Sequence, residues 1–128
     1  MDSIKVPIFV ESRYRVNRKR IKSKIKDILT KQGIKGPSEV SVAIVGDRKM
    51  RSLSRKYKGE DKTRNILSFS LIEGDSAYTP SNKLSLGDLV ISYPQVIKEA
   101  SLEEVLVDDK IDKLIEHGLD HLLGINHG

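Results

Sequence analysis

All three histidines of this chain stand near its carboxyl end, in the order His117-x3-His121-x2-Gly124-x2-His127. No other feature constrains the fold as much. Two side chains four apart on a helix point the same way, separated by roughly 6 Å of helical rise. Gly124 can leave that helix at positive φ, and the chain can then turn back to present His127 to the same point. Three neutral imidazoles converging in this way bind a divalent transition metal and leave a coordination position open for water or substrate. Lone histidines are more often surface or satisfied core residues, but here every histidine of the chain falls into one pattern around one glycine.

A chain of 128 residues suits one domain and buries a hydrophobic core without staples. It has no cysteine, so neither a disulfide framework nor a thiolate metal site is available, and a reducing compartment fits. No apolar run approaches the roughly 20 residues of a membrane span, and the amino terminus alternates like a strand instead of carrying a signal block. The expectation is a soluble, cytoplasmic protein with no membrane partner; nothing in the sequence sets an oligomeric state.

The net charge of +5 is unevenly spread. Residues 13–35 hold ten Lys/Arg against Asp27 alone, and residues 48–64 hold eight against Glu60 and Asp61. From Glu99 onward eight acids face only Lys110 and Lys113. A charge run is usually a solvated face. Two basic stretches beside a metal site favour a polyanionic partner, because phosphate contacts dominate nucleic-acid affinity. Four Tyr and two Phe are too few to suggest a base-stacking platform.

Alternation over residues 4–10 predicts a first strand, confined by Pro7 to an edge. Asn17 is placed to cap a basic amphipathic helix that buries Ile21, Ile25, Ile28 and Leu29 and stops at Gly33. A second strand follows at 40–45. Asp47 is expected to cap a short helix with Met50, Leu53 and Tyr57 facing inward and Gly59 as its stop. A third strand at 65–72 completes a crossover unit, which favours a parallel pair. A loop at 73–83 leads into a fourth strand at 84–92, antiparallel to the third. Pro94 suits the first turn of a helix ending near Ala100. Ser101 and Glu104 form a capping box, so the histidine helix is expected to start there, with Asp108 and Asp109 as a point of interruption. Val105, Leu114, Ile115, Leu119 and Leu122 give it an interior face.

Four segments resemble the YbeY family of metal-dependent endoribonucleases, also called rRNA maturation factors. His117-Gly118-Leu119-Asp120-His121-Leu122-Leu123-Gly124-Ile125-Asn126-His127 is similar to the family's H-G-x-L-H-L-L-G-Y-D-H signature. Asn65-Ile66-Leu67-Ser68-Phe69 resembles its D/N-V-L-S-F strand, and Leu86-Gly87-Asp88-Leu89-Val90-Ile91-Ser92 its L-G-D-I-x-I-S strand. Tyr57-Lys58-Gly59-Glu60-Asp61-Lys62 resembles its Y-R-x-K-D-x turn. Together these cover the chain from about residue 40 onward. The chain departs from the pattern at Lys58, where the family has Arg; at Arg64, where it has Thr; and at Ser70, where it has Pro. Asp120 replaces an apolar residue and Asn126 an Asp. The given sequence ends one residue after His127 where relatives continue into another helix, so on the family pattern the third ligand is expected to have less support.

The resemblance implies an α+β fold for residues 1–128 as one domain: a mixed four-stranded sheet, packed helices and a three-histidine metal cleft. It implies one divalent transition metal, zinc foremost with nickel also reasonable, held by His117, His121 and His127. The implied activity is single-strand-specific endoribonuclease work in rRNA maturation and ribosome quality control, with rRNA and ribosomal proteins as partners. Lys58, Arg64 and His117 form the expected catalytic set. A three-histidine site lowers the pKa of bound water towards ~7, and Lys58 and Arg64 would meet the charge that develops on phosphate oxygens. Basic residues of the first helix would position the backbone. Lysine keeps the charge of the family's arginine but loses its bidentate fork. Asp88 is open to two roles, a turn residue or a carboxylate orienting a ligand histidine. Ser68 and Asn65 border the site; Tyr57 reads as core. Two other classes stay open: an rRNA or ribosome assembly factor whose metal is structural, and a metalloprotease. The histidine spacing matches that of metzincin proteases, but those need a glutamate where this chain has Gly118.

Overall fold

The alternation expected over residues 4–10 is interrupted at Val6 and Pro7. The computed structural model, which describes residues 3–71 and 84–124, shows two short strands there, β1 (Ile4–Lys5) and β2 (Ile8–Val10). Both run parallel to β3 (Ser38–Val45) along the same edge. Pro7 has no N–H to offer a ladder, yet its carbonyl accepts from the Val42 N–H at 2.9 Å, so little pairing is lost. Counting both segments, the mixed sheet has five strands where four were expected.

Helix α1 (Arg18–Lys31) starts where Asn17 accepts the Arg20 N–H at 3.0 Å, and it buries Ile21, Ile25 and Leu29. Helix α2 (Asp47–Lys58) follows β3 directly, buries Met50 and ends at Gly59, which is left-handed at φ 65°. Strands β4 (Ile66–Ser70) and β5 (Leu84–Ser92) come next; Ile72 and the expected 73–83 loop lie outside the described residues.

The strand order is β1, β3, β5, β4, with β2 beside β1 on β3. This corrects the expected crossover. β3 and β4 do not pair: β5 lies between them, parallel to β3 and antiparallel to β4. Leu86, Leu89 and Ile91 are buried, as is Val90 on the opposite face, which suits β5 to a central position covered on both sides. The antiparallel β4–β5 pair is as expected.

Helices α1, α3 (Tyr93–Glu103) and α4 (Val107–Leu122) cover one face of the sheet. Ile25, Ile44, Val96, Ile111, Ile115 and Leu119 share that core. On the other face α2 lays Met50 over Val45, Leu67 and Val90.

The capping box at Ser101 does not start a helix. α3 continues through it to Glu103, and Glu104 is left-handed at φ 57° with its N–H on Ala100 O and Ser101 O. α4 begins at Val107, so Asp108 and Asp109 form its first turn instead of interrupting it, at the end where the dipole favours acids. Val105 falls in the break and is exposed, whereas the other four expected interior residues are buried. The break is clamped by Lys110, whose ammonium meets Glu103 at 2.8 Å and Glu99 at 3.1 Å. No helix among the described residues is long and apolar enough to cross a membrane.

Candidate active site

The site begins with a missing side chain. Gly118 is buried in α4, and a Cβ there would stand 2.8 Å from Leu89 Cδ2, 2.9 Å from Ile66 Cδ1 and 3.1 Å from Ser68 Oγ. Glycine lets α4 settle directly onto β4 and β5. His117 and His121, on either side of that contact, then overlook the start of β4. Their rings are 5.0 Å apart between centroids, with planes at 70°. Both are exposed.

The two imidazoles share a cleft of about 240 Å³ with Lys58, Arg64, Asn65 and Ser68. Residues from α2, from the segment after it, from β4 and from α4 therefore meet in one place. An apolar groove of about 380 Å³ lies elsewhere, between Leu53 and Tyr57 of α2 and the sheet, and holds no histidine. Asp88 lines that groove, where it accepts from the Ser41 hydroxyl. Asp88 is therefore mid-strand, which corrects the turn role weighed for it, and it does not line the cleft of His117 and His121. Tyr57 is 54% exposed and sits edge-on to Phe69, not in the core.

The donor set suits a borderline divalent ion: two imidazoles one helical turn apart, open to one cleft. Helix α4 ends at Leu122, and Gly124 is left-handed at φ 70° as expected, its N–H on His121 O at 3.2 Å. His127 lies outside the described residues. Among the described residues no group of three His, Cys, Asp or Glu is arranged to hold a metal ion. The contacts at Gly118 also bear on proteolysis, since a general-base glutamate there would have to displace Ile66, Ser68 and Leu89.

Lys58 is the last residue of α2 and is exposed at the cleft. Arg64 is less free: its Nη2 meets Glu60 Oε1 at 2.6 Å and its Nε meets Ser54 Oγ at 3.4 Å. The Glu60 carboxyl is held below the usual range, chiefly by Lys62 and also by Arg64, against an opposing effect of burial. Asn65 donates to Glu99 at 3.0 Å, tying the head of β4 to α3.

Helix α1 does not reach the cleft. Arg20 pairs with Asp109 at 2.6 Å and Asp112 at 2.9 Å, and Lys24 with Glu116 at 3.1 Å. At 100° per residue those acids occupy a different flank of α4 from His117 and His121.

Asp47 was expected as a helix cap, but Gly46 holds that position. Its carboxylate instead accepts from Ser92 at 2.8 Å, Thr63 at 2.9 Å and Gln95 at 3.1 Å. Burial alone would raise its pKa; those donors and Lys98 outweigh burial and lower it. The contact to Thr63 anchors the segment that carries Arg64 and Asn65. A helix-opening aspartate in the sequence does not announce such distant partners.

The family model described as Endoribonuclease YbeY matches residues 8–128. The chain belongs to that family. A relative named Endoribonuclease YbeY from Thermodesulfovibrio yellowstonii is 33% identical over 130 residues, covering 91% of this chain and 79% of its own length. Relatives of the same name from an Anaeromyxobacter species and Syntrophus aciditrophicus are 39% and 38% identical, each over 70% of this chain. The chain spans 44% and 54% of the lengths of those two. The solution structure of a Thermotoga maritima protein matches 96% of this chain and 75% of its own, with a TM-score of 0.63 at 22% identity, which shows the fold alone.

Proposed function

We propose that this chain is a metal-dependent endoribonuclease that cuts single-stranded regions of rRNA during rRNA maturation and ribosome quality control. It would work in the cytoplasm beside ribosomal proteins. One observation carries the reading: His117, His121, Lys58 and Arg64, from separate parts of the sequence, line a single cleft. Family membership supplies the reaction class. His117, His121 and His127 are the proposed ligands, for zinc first and nickel second. When bound, such an ion supplies Lewis acidity and a water acidic enough to ionise near neutral pH.

The chain's own residues do the rest. Lys58 offers its ammonium to the non-bridging oxygens, where charge accumulates as the phosphodiester breaks. Arg64 is already committed to Glu60, so it steadies the cleft wall and adds positive field from a fixed position. Ser68 and Asn65 border the space a ribose phosphate would fill. Exposed histidines facing an open cleft fit hydrolysis better than a closed structural metal.

The test is to incubate the protein with a structured rRNA fragment and, in parallel, with an unfolded protein, each with and without chelator. RNA cleavage that stops with chelator and in His117→Ala/His121→Ala, with the protein left intact, is the expected result. RNA cleavage that survives both treatments, or digestion of the protein substrate, contradicts the proposal.

A further inference from the structure

We infer that an arginine row on α2 binds the RNA backbone next to the cleft, so that this enzyme holds several phosphates of a strand as well as the one it cuts. The inference rests on the RNA-cleaving reading above. Arg48, Arg51, Arg55 and Lys58 recur at i, i+3, i+7 and i+10, which places them on one stripe of the helix. The stripe is about 15 Å long at 1.5 Å per residue. A nucleic-acid strand carries a charge about every 3.4 Å in helical form, so the stripe can follow several phosphates.

The four side chains are exposed, and three of them border one open hollow. Arg48, Arg51 and Arg55 line a hollow of about 590 Å³ bounded by Asp47, Asp61 and Thr63. The stripe ends at Lys58, which lines the histidine cleft, so one helix borders both hollow and cleft. The positive charge there is poorly compensated. Asp61 is shared between Arg51 at 3.5 Å and Arg55 at 3.6 Å, longer than the ~2.8 Å of charge-assisted hydrogen bonds. Asp47 accepts from Thr63, Ser92 and Gln95, and Arg48 has no ion-pair partner among the described residues. Of the two basic stretches in the sequence, this one meets the cleft. The stretch on α1 places Arg20 and Lys24 in ion pairs with α4.

The experiment measures binding of the full chain to a single-stranded RNA of about twenty nucleotides across a salt series, with a dinucleotide as the short substrate. In Arg48→Gln/Arg51→Gln/Arg55→Gln, log K against log[salt] should flatten by about 2, at ~0.7 per single-strand phosphate. The loss should be the same for unrelated sequences. KM for the long RNA should rise while turnover of the dinucleotide is unchanged. Asp61→Asn, which releases two guanidinium groups, should bind the long RNA more tightly than wild type. A triple variant that keeps the wild-type affinity and slope overturns the inference, and so does one that loses an acidic polypeptide probe, polyglutamate, while keeping RNA. If the slope flattens in a protein that cleaves no RNA at all, the catalytic reading fails and the arginine row stands.

Discussion

Gly118 of α4 presses against Ser68 of β4 so closely that a methyl group at the glycine would lie 3.1 Å from the serine hydroxyl. This contact sets how far His117 and His121 stand from the strand opposite. Gly118→Ala also meets Ile66 and Leu89, both through terminal side-chain carbons that can give way. It should cost about 1–3 kcal/mol, the usual range for overpacking. Urea melts measure that loss, and weaker metal binding in the folded variant would show that the helix has been pushed off the sheet.

Gly87 is a harsher position. Its φ is 147°, and a Cβ would stand 2.1 Å from the Phe69 carbonyl oxygen, which is backbone and cannot rotate away. Gly87→Ala should therefore destabilise by roughly 3 kcal/mol or more, adding backbone strain to overpacking. Loss of cooperative unfolding at 25 °C, or poor soluble yield, is the expected outcome, against a milder Gly118→Ala.

Asp47 predicts a pH dependence. Its pKa is lowered in the folded protein, so the unfolded chain binds the proton more readily. Its contribution to stability is complete above the ordinary carboxylate range and is lost as pH falls through the lowered native value. Asp47→Asn should be less stable than wild type at pH 7. The difference should shrink below about pH 4, where the unfolded carboxylate protonates. Denaturation midpoints across an acid series check this.

Lys58 predicts a catalytic effect without a structural one, because it is exposed at a helix end. Lys58→Ala should lower kcat on RNA by roughly 10²–10³, the range for losing one charge-stabilising donor, with the melting temperature unchanged. Lys58→Arg should retain most activity, since the guanidinium preserves the charge and adds a fork.

Much of this was legible in the sequence. Periodicity located the helices, Asn17 and Gly59 marked their ends, and the spacing of His117 and His121 put two rings on one helix face; that Lys58 and Arg64 belong beside them came from the family resemblance, and all four line one cleft. What escaped was long-range. Nothing local in residues 65–72 says that β5 will lie between β4 and β3, because strand order depends on which strand can be buried on both sides. The Ser101–Glu104 box misled because α3 carries Val96 and Ala100 in its buried face and runs on past them. Asp47 looked like a cap because its donors at 63, 92 and 95 are remote in sequence.

The most direct measurement is metal content of the purified protein after zinc loading and dialysis. About one ion per chain should remain bound to wild type, and none to His117→Ala/His121→Ala, whose circular dichroism should match wild type. Wild-type protein that retains no ion, or a folded double variant that keeps it, would contradict the account.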